Sequence, residues 1–278
     1  MKIGIIGLGL IGGSMAKAVS RYTEHTVFAY DNNPESLQKA IDDESAKYIL
    51  NDDNVQECDI MILCLFPDAT VDFVRQKAAL FKRSCIITDC CGVKDYVVKG
   101  IAPIAVEHNL CFVGGHPMAG LAKTGYENST GELFMGASMI LTPDETILKD
   151  TIDTLTRFYK SIGFGSIMLT TPEEHDRQIA YTSQLAHVLS NAYVKSPCAL
   201  KHKGYSAGSF RDLTRVAWLN EIMWTQLFLE NKDALSQELG GLIDRLQEVK
   251  NALDDENRDE LRELLKQGRE QKERVDRL

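Results

Sequence analysis

Short apolar runs alternate with amphipathic stretches over about the first 165 residues of the chain. Six runs are rich in Ile, Val, Leu and Phe, and several are apolar on both faces, which is typical of parallel strands covered by helices on both sides. These runs are KIGIIG, TVFAYD, DIMILCLF, SCIITD, LCFVGG and ASMILTP. Helical patterns such as SLQKAIDD and VDFVRQKAALF lie between them. The alternation predicts a doubly wound α/β domain.

The pattern changes at about residue 171, after which it predicts helices almost throughout. The segment 171–174, Thr-Pro-Glu-Glu, is typical of a helix start, because Thr caps the helix and Pro suits its first turn. The charged tail from Asp244 has leucines at helical spacing, as in LRELLKQ, which favours a solvated surface helix over a partner site. We therefore predict an N-terminal Rossmann-type dinucleotide-binding domain at residues 1–168 and an all-helical C-terminal domain at 169–278.

Composition narrows the class of protein. A chain of 278 residues with 44% hydrophobic residues can bury a sizeable core. The net charge of −9 argues against nucleic-acid binding, which normally uses a basic face, and no apolar run approaches the length of a membrane span. The seven cysteines form no CxxC pair, which favours reduced thiols, no metal site and a cytoplasmic location.

A glycine-rich motif, GxGxxG, follows the first predicted strand and opens a helix. Gly7 permits a tight turn, Gly9 lets the backbone approach a pyrophosphate, and Gly12 allows close packing of helix and strand. Asp31 ends the second strand, 19 residues after Gly12, and would accept hydrogen bonds from ribose hydroxyls and repel a 2′-phosphate. NAD is therefore the predicted cofactor. Its predicted binding residues are Gly7, Leu8, Gly9, Leu10, Ile11, Gly12 and Asp31.

The stretch GGHPMAG places a histidine, His116, just after the apolar run 111–113. Ligands of a doubly wound sheet bind at the carboxyl ends of its strands, so His116 would lie beside the nicotinamide end of the cleft. Two interpretations stay open at this point. The residue is either an incidental histidine in a turn or a catalytic base.

The motifs GGHPMAG, LF…LTP and FRDLTRVA…MWTQLFLENKD resemble those of prephenate dehydrogenases, the oxidative enzymes of tyrosine biosynthesis. The resemblance extends from the glycine loop to about Lys232. It implies a Rossmann domain joined to a helical domain that binds substrate and forms a homodimer. It also implies NAD-dependent oxidative decarboxylation of prephenate to 4-hydroxyphenylpyruvate, or of its transaminated relative, arogenate.

The resemblance also implies roles for individual residues. His116 matches the catalytic histidine, which accepts the proton of the ring hydroxyl while hydride leaves the same carbon. Arg215 matches an arginine that binds a substrate carboxylate, and Arg211, one helical turn earlier, could face the same site. His187 matches a second histidine that contacts the substrate side chain. Asp212 is expected to brace the arginines.

Two departures from the family pattern bear on these roles. Gly92 stands where many members have a serine that supports the histidine, so we expect water or backbone to orient His116. Leu121 and Ala122 follow the HPMAG motif, where many members carry a glutamate at the second position. An acidic residue at position 121 would pair with the ammonium of arogenate, whereas leucine cannot. This difference favours prephenate over arogenate.

Three alternatives remain at this point. One is an arogenate or dual-specificity cyclohexadienyl dehydrogenase. Another is a β-hydroxyacid dehydrogenase, which uses a lysine on the first long helix of the second domain. That helix has no lysine before Lys195 and carries His187 instead. The last is a non-catalytic NAD-binding sensor or scaffold, which would have no need of His116, His187 and Arg215 together.

Overall fold

The computed structural model describes residues 1–121 and 123–277. The chain forms two compact units, a first of Met1–Asn231 and a second that begins at Lys232. The strands are β1 (Lys2–Ile6), β2 (Thr26–Tyr30), β3 (Tyr48–Ile49), β4 (Ile60–Leu63), β5 (Ile86–Asp89), β6 (Cys111–Pro117), β7 (Ser138–Thr142) and β8 (Ser166–Leu169). The helices of the first unit are α1 (Leu10–Tyr22), α2 (Pro34–Asp42), α3 (Pro67–Lys77), α4 (Asp95–His108), α5 (Lys149–Ser161), α6 (Pro172–Ile179), α7 (Leu185–Val194), α8 (Gly208–Thr214) and α9 (Glu221–Glu230).

One sheet contains all eight strands in the order β3-β2-β1-β4-β5-β6-β7-β8. The first six run parallel in the order of a Rossmann fold, which confirms the predicted fold class. Consequently the carboxyl ends of β1, β2, β4 and β5 meet at one edge. That edge carries the glycine loop and the residues that follow Asp89.

Both faces of the sheet are buried, as the apolar runs predict. In β1, Ile3 and Ile5 belong to the hydrophobic cluster on one face and Ile6 to the cluster on the other. In β4, Ile60 and Ile62 share the first cluster, whereas the alternate residues of that strand join the second. Successive side chains of a strand point to opposite faces, so a strand buried on both sides must be apolar at every position.

Strand β6 differs from its prediction in length and in its second partner. The strand continues through His116 to Pro117, so His116 lies within a strand and not in a turn beyond it. It pairs with Ile140 of β7, and β7 runs antiparallel to β6. A parallel partner needs a crossover, usually a helix, and the described part of the link between β6 and β7 contains only a short 3-10 turn at Tyr126–Asn128.

The edge strands β3 and β8 were not predicted. Strand β3 has only two residues, and both are exposed, so it carries little hydrophobic signal. Strand β8 follows α5 and pairs parallel with β7, but only one of its four residues is even partly buried. Short, exposed edge strands are common because an edge has only one neighbour.

The first helical segment after the sheet begins where the sequence indicates. Thr171 is the N-cap of α6, and its hydroxyl accepts a hydrogen bond from the backbone N–H of Glu174 at 3.2 Å. Helix α6 runs through a π-helical turn, Ala180–Gln184, directly into α7. Such turns are frequent at functional sites because they re-aim the side chains on either side.

The second unit contains two long helices, α10 (Lys232–Asp254) and α11 (Arg258–Val275). Helix α11 has no buried residue within its described span, and two i,i+4 ion pairs, Arg269–Glu273 and Lys272–Asp276, lie at its C-terminal end, as expected of a solvated helix. In the part of the chain that the structure describes, no helix has both the length and the apolar character to cross a membrane.

Candidate active site

The glycine loop between β1 and α1 has the backbone geometry that a dinucleotide site requires. Gly7 has a φ of +89°, and a Cβ there would lie 2.5 Å from the carbonyl oxygen of Cys64. A Cβ at Gly12 would lie 1.7 Å from the carbonyl oxygen of Gly7, so only glycine allows α1 to pack this closely on β1. A Cβ at Gly9 would meet no described atom within 4 Å, which leaves the loop open on that side.

The N-terminus of α1 fits an anionic group. Among the described residues no side chain caps this end, and its first turn contains no acidic residue. The first backbone N–H groups of the helix, including those of Leu10 and Ile11, thus remain available to phosphate oxygens. Asp31 lies beside the loop, where its carboxylate accepts hydrogen bonds from the backbone N–H groups of Leu8 and Asn33. These seven residues stay the predicted cofactor site.

Replacing Gly9 by alanine tests this assignment. We expect Gly9→Ala to leave stability nearly unchanged, because its Cβ meets open space, but to weaken NAD binding by about tenfold or more, because that space is where a pyrophosphate would approach. Calorimetric titration with NAD and thermal unfolding measure the two effects. Gly268→Ala, also in open space but on α11, is the matched control. Equal NAD affinity in the two variants would contradict the assignment.

His116 is partly buried and contacts a second histidine. Its Nδ1 lies 2.9 Å from Nε2 of His175 on α6. Nδ1 of His175 in turn lies 2.7 Å from Oδ1 of Asp176. His175 and Asp176 are only 2% and 5% exposed, so this chain of groups is sheltered from water. The expectation that water or backbone orients His116 is therefore wrong: a side chain does so.

Asp176 also connects α6 to the Rossmann part of the chain. Its two carboxylate oxygens accept hydrogen bonds from the backbone N–H groups of Lys94 and Asp95, at 2.7 and 2.9 Å. These groups lie at the N-terminus of α4, where the helix itself provides no acceptors for its first N–H groups, so the carboxylate supplies them. It also lies at the positive end of the helix dipole. The backbone carbonyl of Asp176 accepts a hydrogen bond from the amide of Asn231 at 2.8 Å.

A fully buried ion pair lies beside this chain of groups. Lys94 Nζ and a carboxylate oxygen of Asp89 are in hydrogen-bond contact, and both side chains are completely inaccessible to solvent. The carboxylate of Asp89 also accepts hydrogen bonds from the N–H groups of Cys91, at 2.9 Å, and Gly115, at 3.0 Å. The second of these bonds fixes the backbone next to His116.

The environment of His116 keeps its ring neutral. Burial lowers the pKa of His116 well below its ordinary value of about 6.5, and the neighbouring His175 and the positive charge of Lys94 lower it further. Burial also lowers the pKa of His175, although its hydrogen bond to Asp176 opposes this shift. A neutral imidazole near pH 7 has a lone pair that can accept a proton.

Gly92 faces the other nitrogen of His116. A Cβ at Gly92 would lie 4.0 Å from Nε2 of His116 and 3.5 Å from the methyl groups of Leu227. The second distance is an ordinary van der Waals contact, so a Cβ fits this position without displacing its neighbours. Glycine leaves the Nε2 side of the ring open.

Gly92→Ser is expected to fold and to move the pH dependence of the reaction. The added hydroxyl would lie within reach of Nε2 of His116 and donate to it, which stabilises the neutral ring and lowers its pKa. The acid limb of kcat/KM should therefore shift to lower pH. Gly92→Ala, which adds the carbon but no donor, is the matched control. An identical pH profile for the two variants would contradict this role of the hydroxyl.

His187 lies on α7 and stacks on Trp224 of α9, with ring centroids 4.0 Å apart. Its Nδ1 donates to the backbone carbonyl of Ser183 at 2.9 Å, which leaves Nε2 as an acceptor. Burial lowers the pKa of His187, and the positive charge of Arg215 lowers it further, so this arginine lies near the ring. Trp224 and Leu227 are one helical turn apart, so α9 connects the surroundings of His187 to those of Gly92.

The other residues predicted to bind substrate show fewer contacts with His116 and His187. Arg211 and Arg215 are both exposed; Arg211 lies 3.5 Å from its neighbour Asp212, whereas Arg215 begins the 3-10 turn after α8. Of the two, Arg215 is the one whose charge acts on His187. Leu121 is 53% exposed, and Ala122 lies outside the described residues.

Several residues near His116 and His187 were not predicted from the sequence, namely Asp89, Lys94, His175, Asp176 and Trp224. Two signals were visible in the sequence. Asp89 ends a buried strand, and His175 and Asp176 are adjacent near the start of a helix. Neither signal indicates which distant residue it contacts.

Comparison with known proteins assigns the family. The prephenate dehydrogenase nucleotide-binding domain matches residues 15–168, and the prephenate dehydrogenase dimerization domain matches residues 171–267. This chain belongs to the prephenate dehydrogenase family. It is therefore an NAD-dependent oxidoreductase, and the predicted family, enzyme class and cofactor are confirmed.

Three similar proteins illustrate the range of the family. A cyclohexadienyl dehydrogenase of Zymomonas mobilis is 34% identical over 275 residues, which cover 96% of this chain and 93% of the relative. The structure of prephenate dehydrogenase from Aquifex aeolicus in complex with hydroxyphenyl propionate and NAD+ is 28% identical, with a TM-score of 0.87 over 99% of this chain and 98% of that one. Synechocystis arogenate dehydrogenase is 26% identical, with a TM-score of 0.83 over 99% of this chain and all of that one.

Proposed function

We propose that this enzyme oxidises and decarboxylates prephenate to 4-hydroxyphenylpyruvate with His116 as its base. The observation that carries the proposal is a neutral imidazole with an open Nε2, held at the edge of the sheet that also bears the glycine loop. A base of this kind is what the removal of a hydroxyl proton requires.

The chemistry divides between cofactor and protein. NAD, when bound, accepts the hydride from the ring carbon that carries the hydroxyl. His116 Nε2 takes the hydroxyl proton as the C–O bond becomes a carbonyl. The bond between the ring and its carboxylate then breaks, carbon dioxide leaves, and the electron pair passes through the ring to the oxygen. Protonation of that oxygen gives the phenol. The remaining task of the protein is to orient the reactants.

Arg215 and His187 are the residues we assign to the substrate side chain. The planar guanidinium of Arg215 suits a carboxylate, and Nε2 of His187 remains free to bind a polar group. Arg211 is retained in the proposal only as a residue that could add positive charge, since its guanidinium contacts Asp212.

Prephenate is the favoured substrate. It carries a ketone where arogenate carries an ammonium group, and the site offers little to bind that ammonium. Leu121 offers that ammonium no anionic partner, and the positive charge near His187 disfavours it. The second candidate is dual specificity, which the similarity to the Zymomonas mobilis cyclohexadienyl dehydrogenase favours.

A direct assay tests the function. The protein is mixed with NAD and either prephenate or arogenate, and NADH absorbance is followed. Turnover of prephenate alone supports the proposal, and comparable kcat/KM for both substrates supports the second candidate. A preference for arogenate overturns the argument from Leu121. Absence of turnover with both, despite NAD binding, overturns the function.

We also propose that residues 169–278 bind substrate and form a homodimer. Five apolar side chains of the helical region are more than 65% exposed, and exposed apolar surface of this kind is what a second copy would bury. They are Leu200, Tyr205, Trp218, Ile222 and Leu229. Sedimentation should give twice the 31.1 kDa mass of the chain, and a monomer at micromolar concentration would contradict this.

A cytoplasmic location completes the proposal. All seven cysteines are free, which suits a reducing compartment. Cell fractionation tests the location.

A further inference from the structure

Two buried residues that take no direct part in the proposed reaction lie on the Nδ1 side of His116. His175 stands between His116 and Asp176, with contacts of 2.9 and 2.7 Å. We propose that His175 and Asp176 are positioning residues that hold His116 in the tautomer whose Nε2 carries the lone pair. The inference rests on the proposed function, because it assumes that Nε2 of His116 is the reacting atom.

Backbone N–H groups, which can only donate, set the direction of the hydrogen bonds that link Asp176, His175 and His116. The carboxylate of Asp176 accepts hydrogen bonds from the N–H groups of Lys94 and Asp95. Oδ1 lies 2.7 Å from Nδ1 of His175, and an ionised carboxylate can only accept, so this nitrogen must carry the proton. In a neutral ring Nε2 of His175 is then an acceptor, which requires Nδ1–H on His116. The lone pair of His116 is thereby directed to Nε2.

The protonation states that this argument assumes agree with the surroundings. Burial lowers the pKa of both His116 and His175, so both rings are neutral near pH 7. Lys94 opposes a positive charge on either ring, while Asp89 and Asp176 favour one on His175.

Helix α9 contributes one further acidic group. Its Glu230 is partly buried, and burial together with the nearby Asp68 and Asp176 raises its pKa to about 7. Glu230 is therefore the acid of this region that takes up a proton near neutral pH.

The directed lone pair faces the open side of the ring. The position of a Cβ on Gly92 is 4.0 Å from Nε2 of His116, so only hydrogen occupies the space where a side chain would begin. With glycine here, the orientation of the ring depends on the Nδ1 side alone.

Asp176→Asn is the sharpest test, because it removes the charge that requires a proton on Nδ1 of His175 while keeping the shape of the side chain. The amide has one oxygen in place of two, so it cannot accept from His175 and from the backbone N–H groups of Lys94 and Asp95 together. Where the amide nitrogen turns to Nδ1 of His175, the proton of that ring moves to Nε2 and His116 is left with Nε2–H. We expect kcat to fall by at least about tenfold, because part of the enzyme then holds its catalytic histidine in the wrong tautomer, with KM values changed by less than about threefold. Glu173→Gln, an exposed acid in the same helical turn, is the matched control and should leave kcat unchanged.

A second pair of variants keeps the test valid if Asp176→Asn unfolds. His175→Gln retains an oxygen that can accept from Nδ1–H of His116, whereas His175→Leu retains none. We expect the Gln variant to be at least about tenfold faster than the Leu variant. Equal rates in these two folded variants would overturn the proposal.

Nitrogen-15 NMR of the ring nitrogens gives a readout that needs no substrate. The chain has six histidines, and loss of a signal in His116→Asn assigns the relevant one. The wild-type protein should show Nδ1–H and an unprotonated Nε2 on His116, and Asp176→Asn should show an increased share of Nε2–H. A wild-type ring with Nε2–H overturns the proposal. Because this readout is independent of turnover, its failure is distinguishable from failure of the proposed function.

Discussion

His116→Asn is expected to reduce kcat by about 10²–10⁴-fold, the usual contribution of a positioned general base. Asparagine is close to the imidazole in size and still forms hydrogen bonds, so it preserves the packing of β6 against its neighbours. It has no lone pair that can take a proton near pH 7. The hydroxyl proton of the substrate would then have to leave to water, and the oxidation would slow accordingly.

The measurements for this variant separate chemistry from binding. Steady-state kinetics should show the loss in kcat, with KM for NAD and prephenate within about threefold of wild type. His108→Asn, at the far end of α4, is the matched control and should retain full activity. A decrease of less than about tenfold in kcat for His116→Asn would remove this residue from the role of base.

Lys94→Met is expected to lower the free energy of unfolding by about 3–5 kcal/mol, the usual cost of breaking a buried ion pair. The pair with Asp89 is fully inaccessible to solvent, so methionine leaves a buried carboxylate with only two backbone N–H donors. Removing the other charge as well should restore part of the loss, because no uncompensated charge remains. The double variant Lys94→Met/Asp89→Asn should therefore be more stable than Lys94→Met alone.

Urea unfolding at neutral pH measures these differences. The matched control is Lys82→Met, which removes a lysine from its pair with Asp59, where the two side chains are 31% and 39% exposed. Solvent screens that pair, so its loss should cost about 0–1 kcal/mol. Equal losses in the two single variants would contradict the importance of burial at Lys94.

Local pattern was sufficient for much of the fold. Each buried strand of the Rossmann part is an apolar run because both faces of the sheet are covered, and each such run is visible within a few residues. The glycine loop is equally local, since Gly7 and Gly12 meet within one turn of chain. The Thr171 cap and the helices that follow are local for the same reason. The family motifs added His116, His187 and Arg215 as expectations.

By itself, then, the sequence determined the α/β class, the positions of the buried strands along the chain, the dinucleotide loop and the histidine after LCFVGG. Tertiary structure alone decided that β6 continues past His116 onto an antiparallel partner and that short edge strands complete the sheet. It also decided which groups surround the base. His116 and His175 are 59 residues apart, and Asp176 and Lys94 are 82 apart. Hydrophobic periodicity reports only which face of an element is buried. Which polar groups meet across that face depends on how whole elements pack, and this is why the His116–His175–Asp176 chain appears only in the folded protein.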